Sequence, residues 1–394
     1  MNKLIIIGNG FDLAHGYPTR YSDFVLWLVK TELTNLYTDR KTNYRRENPI
    51  FNCSVNNSIY VSESLEAYLD QNIITIIERG TQEYVPQIIF GWGNDVSNTQ
   101  DYSLFTVNAQ TNFARKLLKS SCENWVDIEN VYYKCLKEIL KNSFQNEQYD
   151  CTDDILELNA QLAYLSNQLR RYLTSLEKNN LIPDFQEIFD KPIDFTNLFK
   201  PDGWEEQNFG FDTFQKTNKT YILNFNYTNS IEQYFKEKED FVINNIHGSI
   251  IDDNNPMIFG YGDELDESFA EMEKQEIKGF LEHVKSLWYL RTRNYHDLIR
   301  FIESDYYQVQ IIGHSCGRSD RTLLNMVFEH QNCNSVDIFY RVKENGLDSF
   351  NEISEEVSRQ FRDKQKLRKR VLPKNKQNVI PQYIQSIEME ANIA

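Results

Sequence analysis

The opening run Lys3-Leu4-Ile5-Ile6-Ile7-Gly8-Asn9-Gly10-Phe11-Asp12-Leu13-Ala14-His15-Gly16 constrains this chain more than any other stretch. Four consecutive apolar residues, Leu4 to Ile7, three of them β-branched, suit a strand covered on both faces, as in a parallel sheet. Gly8 and Gly10 then permit a sharp turn whose backbone can approach a ligand closely. A turn of that kind at the carboxyl end of a central strand is where open α/β sheets take nucleotides; the same residues also suit a tight structural turn. The dehydrogenase fingerprint is not met, because Leu13 stands where its third glycine belongs and helical sequence follows. No Gly-Lys-Ser/Thr follows either, which excludes a P-loop.

Further along, the pattern turns helical and stays so to about Lys178. Polar interruptions break it: residues 36–60 read as a long loop, and Gly91 to Gln100 as another. Thr152 to Lys178 forms the clearest helix, with Ile155, Leu158, Leu162, Leu165, Leu169, Tyr172 and Leu176 on one stripe. That stripe serves a helical domain or a seam between subunits, so self-association is open. After a connection over Pro183 to Gln207, strands return at Tyr221–Phe225, Phe241–Ile243, Met257–Phe259, Val309–Ile312 and Val336–Tyr340. A short helix is predicted from Asn229 or Ser230, mostly helical sequence from Glu267 to Arg300, and further helices from Ser319 or Asp320 and over Ser349–Phe361. The first strand therefore belongs with strands more than two hundred residues later. The predicted fold is α/β: a discontinuous domain of residues 1–20 and 215–361, a mostly helical insertion at 21–214, and a basic tail at 362–394.

The tail holds eight basic and three acidic side chains, against a formal charge of −16 for the whole chain. It reads as a solvated segment on an acidic body, with a nucleic-acid or acidic-partner contact as the alternative. So acidic a protein lacks the basic face that a general nucleic-acid binder needs. Six cysteines in no C-x-x-C pair read as reduced thiols, with no metal site built on cysteine pairs. No signal peptide and no membrane span are expected, which predicts a cytoplasmic protein.

Three later turns share the design of the first. They are Asn224-Phe225-Asn226-Tyr227-Thr228, Ile246-His247-Gly248-Ser249 and Gly313-His314-Ser315. If their strands are parallel neighbours, these turns meet in one crevice. Asn226 offers a donor and an acceptor without charge, and His247 can carry or release a proton near neutrality. An amide and an imidazole beside a nucleotide suit the breaking of a glycosidic bond; His247 can also be a packing residue. Gly313-His314-Ser315-Cys316-Gly317 matches the G-x-S-x-G nucleophile elbow as well. However, its triad needs a downstream loop histidine, and the only one, His330, falls in a helix. Gly313 and Ser315 can instead hold a phosphate or ribose.

These residues together resemble a known family. Gly8 to Thr19, continuing to Tyr21-Ser22-Asp23-Phe24, with Trp125-Val126-Asp127-Ile128-Glu129, Ile246-His247-Gly248 and Gly313-His314-Ser315, look like the signature of the bacteriophage abortive-infection AbiH family. More distantly, Gly8, Gly10, Gly16, Pro18, Asn226, His247-Gly248, Pro256 to Gly260, Gly313 and Ser315 resemble the sirtuin pattern. The resemblance implies a sirtuin-like, Rossmann-type parallel sheet and a cytoplasmic protein of phage defence, answering a phage trigger. It implies NAD as substrate, hydrolysed to nicotinamide and ADP-ribose, with no metal; a nucleotide-binding sensor without turnover is the alternative. Asn226, His247 and Asp12 are its implied catalytic residues. Gly8, Asn9, Gly10, Phe11, His15, Thr19, Gly248, Gly313 and Ser315 are its implied dinucleotide contacts. Two departures argue against protein deacetylation: Thr228 replaces the sirtuin aspartate, and the four-cysteine zinc module is absent.

Overall fold

The computed structural model describes residues 1–58, 64–81, 104–123, 127–146, 148–176, 181–193, 219–235, 241–343 and 345–383. Their strands, in chain order, are β1 (Asn2–Ile7), β2 (Arg45–Glu47), β3 (Phe51–Val55), β4 (Phe105–Ala109), β5 (Thr220–Asn224), β6 (Phe241–Asn245), β7 (Tyr307–Ile312) and β8 (Cys333–Ile338). Strand β1 is buried at every position. It is the middle of a five-stranded sheet of order β6-β5-β1-β7-β8, in which every neighbouring pair is parallel.

The unbroken apolar run of β1 follows from that position. Leu4 and Ile6 point into one core with Tyr221, Leu223, Val309 and Ile311. Ile5 and Ile7 point into a second core with Ile222, Phe185, Phe189 and Tyr234. A strand with a core on each face has no polar side to show. Burying each of these aliphatic side chains contributes roughly 1.5–3 kcal/mol. Lys3, almost wholly buried, donates through Nζ to the carbonyls of Phe189 (2.7 Å) and Lys191 (2.9 Å), at the carboxyl end of the Pro183–Asp190 helix. A cation there satisfies carbonyls that the helix leaves unpaired.

By its contacts the chain divides into two compact units, Met1–Thr19 with Leu173–Ala394, and Arg20–Tyr172. The Pro183–Asp190 helix, inside the predicted connection, packs Phe185 and Phe189 on the sheet. Predicted as a strand, Met257–Phe259 joins no ladder; Ile258 N–H donates to the His247 carbonyl (2.8 Å), and the Ile258 carbonyl accepts from Tyr227 Oη (2.9 Å). The other strands and helices predicted between Tyr221 and Phe361 are present, with shifted ends and with short helical turns in places.

In the Arg20–Tyr172 unit, the predicted loop at 36–60 is instead the end of the Tyr21–Asp39 helix followed by β2 and β3. Strands β2, β3 and β4 form an antiparallel sheet. Phe51, Cys53 and Val55 alternate with polar residues, so one face of β3 is buried behind a polar composition. The Thr152–Ser175 helix carries its predicted stripe, but Ile155, Leu162 and Leu165 are fully buried within the chain and offer no open seam. Asp127 caps the Ile128–Gln145 helix by accepting from Asn130 N–H (2.9 Å). Trp125, Val126 and the loop Gly91 to Gln100 lie outside the described residues.

The basic segment is not a solvated tail over its described part. Asp363 caps a helix, Lys364–Arg370, and Arg370, largely buried, donates to the Phe328 carbonyl (2.5 Å). Beyond it Val371 bridges Val336, Val379 bridges Tyr340, Ile380 enters the second core, and Tyr383 N–H reaches the Ala14 carbonyl (2.7 Å). Apolar residues spaced among the lysines, invisible to a count of charge, hold this strap down. Residues 384–394 lie outside the described set. No helix among the described residues is long and apolar enough to cross a membrane.

Candidate active site

Strands β1 and β7 end side by side, and their turns touch. Gly10 N–H donates to the Gly313 carbonyl at 2.7 Å. A Cβ at Gly8 would stand 2.6 Å from His314 Cα, and Gly313 sits at φ 72° against the Phe11 nitrogen. The sequence left these glycines two uses, the close approach of a ligand or a tight structural turn. In the structure they admit the neighbouring turn, which no single segment of sequence could reveal.

Asp12 lies in the short Asn9–Ala14 helix and is 1% exposed. Its Oδ2 accepts from Thr228 Oγ1 (2.6 Å), its Oδ1 from Ser230 Oγ, and the Asn226 side chain is a third partner. Asn226 Nδ2 also donates to the Gly8 carbonyl (3.2 Å). Two of the three predicted catalytic residues, Asp12 and Asn226, thus meet. Burial pushes the Asp12 carboxyl up to about 6, against the pull of its three neutral donors.

His247 follows β6, and its ring hydrogen-bonds the Phe225 backbone, next to Asn226. Its Nε2 lies 3.1 Å from Tyr289 Oη and 3.2 Å from Asp320 Oδ1. Asp320 Oδ1 also accepts from Lys285 Nζ at 2.8 Å, and its Oδ2 lies 3.6 Å from His314 Nε2. The Phe225 ring packs against both imidazoles, with centroids 4.9 Å from His247 and 4.2 Å from His314. Burial pushes Asp320 up, but the Lys285 ammonium and the two histidines outweigh it and hold the carboxyl far below the usual range. Burial and then Lys285 push His247 down, opposed by Asp320. Burial takes His314 down to about 4.

The remaining predicted contacts separate. Phe11 is fully buried among Phe185, Phe189 and Tyr234. His15 binds the Phe11 carbonyl (2.7 Å) and Tyr234 Oη (2.5 Å) and stacks on Phe185, in the second core rather than at the strand ends. Thr19 donates to Asn9 Oδ1 (2.5 Å), which pins the exposed Asn9 side chain to the turn. Gly248, at φ 81°, lets the His247 turn close on the Pro256 carbonyl. Ser315 is exposed. In its loop the positive φ falls on Gly313 (72°) and Cys316 (54°) and not on Ser315, and His314 Nδ1 already accepts Cys316 N–H (2.9 Å), so the adjacent imidazole does not serve Ser315 as the base of a nucleophile elbow.

Asp320, Lys285, Tyr289 and His314 were missed as site residues. An aspartate at a helix start reads as an ordinary cap. The one available signal was Lys285 itself, a lysine between the apolar residues Val284 and Leu287. Among the described residues no cluster of histidine, cysteine and carboxylate side chains could hold a metal ion; the Lys285 ammonium supplies the positive charge beside Asp320.

The family model described as bacteriophage abortive infection AbiH matches residues 4–342. No curated protein and no solved structure matches the chain.

Proposed function

This chain belongs to the bacteriophage abortive infection AbiH family, and from that premise we propose that it is a defence effector that hydrolyses NAD at the carboxyl edge of its parallel sheet. Family membership suggests the role in abortive-infection defence. One observation carries the activity: Asn226 and His247 leave adjacent strands, β5 and β6, beside the paired turns of β1 and β7. Counted by order in the chain, the five strands lie third, second, first, fourth, fifth. Dinucleotide-binding doubly wound sheets share that order, and take their ligand where it reverses, between the first and fourth strands.

The local chemistry suits such a substrate. Asn9 and Ser315 expose an amide and a hydroxyl at the strand ends, and Arg318 exposes a guanidinium for a pyrophosphate. Of the nearby carboxylates, Asp12 and Asp320 are buried and Asp320 is offset by Lys285, while Glu232, close to Asp12, accepts from the Asn245 side chain (3.0 Å). Hydrolysis adds water to C1′ of the nicotinamide ribose and breaks the C1′–N bond, whose electron pair returns to the pyridinium as neutral nicotinamide leaves. Asn226, with Nδ2 committed to Gly8, keeps Oδ1 to accept from a ribose hydroxyl or from that water. His247 takes the water's proton at Nε2. Asp12 holds the Asn226 amide in place.

The test is NAD consumption by purified wild type, Asn226→Ala and His247→Ala, with nicotinamide and ADP-ribose separated by chromatography, alone and in infected-cell extract. Turnover in wild type that is lost in both variants is the expected result; full activity in either variant overturns it. A second reading, a nucleotide-binding sensor without turnover, is favoured by the burial of Asn226 (6% exposed) and His247 (5% exposed). Retained nucleotide without product, in wild type and both variants, would establish it.

A further inference from the structure

A histidine that takes a proton in a buried site needs a group to hold its ring and to face the new charge. Asp320 stands at the N-cap of the Arg321–Glu329 helix, a position where an aspartate ordinarily accepts from the helix's own first N–H groups. Its side chain makes no cap hydrogen bond. Both oxygens turn the other way, Oδ1 to Lys285 and His247 and Oδ2 towards His314. Lys285 and Tyr289, four residues apart, come from one helical stretch and deliver an ammonium to Asp320 and a hydroxyl to His247. The Lys285 side chain is 1% exposed, with its Cβ 3.2 Å from where a side chain on Gly262 would begin. Packing alone does not require this arrangement, since an apolar pair of similar volume fills such a space at lower electrostatic cost.

We propose that Asp320 is the positioning carboxylate of His247 and that Lys285 is its counter-ion, with His314 a neutral neighbour that takes no part in proton transfer. The proposal rests on reading His247 as the proton carrier. The charged and titratable groups around the His247 ring are Asp320, Lys285, His314, Tyr289 and Tyr227; Phe225 adds its ring and the backbone group that hydrogen-bonds the imidazole. His314 is set apart by its own turn. Its Nδ1 accepts the Cys316 N–H, so Nε2 carries the one ring proton, and a second would cost that hydrogen bond. At His247 the Nε2 partner is the Tyr289 hydroxyl (3.1 Å), which can turn from donor to acceptor when a proton arrives. Nε2 itself lies 3.2 Å from Asp320 Oδ1, and Lys285 keeps that carboxylate charged to meet a proton arriving there.

Two readouts test this on the full chain, in wild type, Asp320→Asn and Lys285→Gln. The first is the titration of isotope-labelled histidine by NMR, assigned with His247→Gln and His314→Gln. Losing the carboxylate should lower the His247 midpoint by about one unit or more, and losing the ammonium should raise it by a similar amount. The second is the pH profile of NAD turnover. Asp320→Asn should lower kcat by about a hundredfold with little change in KM, and Lys285→Gln should move the acidic limb upward. If Asp320→Asn does not fold, as circular dichroism would show, Lys285→Gln decides the matter. A His247 midpoint unmoved in every folded variant overturns the proposal, whatever the turnover. Shifted midpoints without NAD turnover in wild type would leave the coupling standing and remove NAD as the substrate. Turnover abolished in His247→Ala but unaltered in Asp320→Asn would keep the hydrolase and remove Asp320 from it.

Discussion

The carboxyl edge of the sheet holds two buried carboxylates that are treated in opposite ways. Asp12 is surrounded by neutral donors: two hydroxyls and an amide. Asp320 faces an ammonium and two imidazoles. Burial opposes ionisation in both. Hydrogen bonds alone leave Asp12 raised to about 6, whereas Lys285 and the histidines drive Asp320 far below its usual range. Hydroxyl donors can turn to suit either protonation state, so Asp12 works as a staple between the β1 and β5 turns in both. An ammonium at 2.8 Å suits only the ionised form, so Asp320 is a fixed charge. A fixed negative charge is what a proton-accepting imidazole needs beside it, and a group that titrates near neutrality would serve less well.

Removing one partner from the fixed pair should have the largest effect on stability. Asp320→Leu leaves the Lys285 ammonium buried without its carboxylate and should cost about 3–5 kcal/mol in urea unfolding. Lys285→Met combined with Asp320→Leu should recover most of that loss, because no lone charge remains. A double variant as unstable as the single one would mean that the cluster is held by shape rather than by charge.

The pH dependence separates the two regions more finely. Asp12 is raised from 3.8 to about 6 on folding, so the stability linked to it is fully present below about 3.8 and is lost as pH rises through 6. His314 is lowered from 6.5 to about 4, so its contribution is present above 6.5 and is lost as pH falls towards 4. Each shift is a little over two units, or about 3 kcal/mol at ~1.4 kcal/mol per unit. Between pH 4 and 6 the two slopes oppose one another. Asp12→Asn should therefore leave stability that rises with pH across that window, and His314→Gln stability that falls. Urea unfolding at a series of pH values reads both, and parallel profiles in the two variants would refute the contrast.

Much of this fold was legible because burial on both faces writes itself into consecutive residues, as Leu4 to Ile7 show. Where one face is wet, the signal thins: β3 hides Phe51, Cys53 and Val55 among polar neighbours. The placing of Asn226 and His247 at neighbouring strand ends was legible because the strands of a parallel sheet end along one edge. Asp320, Lys285 and Tyr289 were not, since their meaning lies in a meeting of segments about seventy residues from His247 on the Asp320 side and about forty on the Tyr289 side. Phe11 and His15 misled for a related reason. They share a motif with Asp12, but one helical turn sends Asp12 towards the strand ends and the other two side chains into the aromatic core.

The smallest expected effect is also the cleanest probe of the neutral cage. Ser230→Ala removes one hydroxyl donor from Asp12 and disturbs little else. While Asp12 is protonated, at about pH 4.5, the loss should be about 1 kcal/mol, the usual net worth of one hydrogen bond. Above about pH 7 the same hydroxyl faces a charged oxygen, and the loss should grow to about 2 kcal/mol, as hydrogen bonds to ionised groups do. The Asp12 midpoint should move further up in consequence, because the charged form has lost more support than the acid. Tyr289→Phe is the matching deletion in the other region. It removes a hydroxyl from His247 but leaves the bond between Asp320 and Lys285 intact, so its cost should not grow with pH above neutrality. If the two losses follow the same course with pH, the distinction between a titrating carboxylate in a neutral cage and a fixed one beside a cation does not hold.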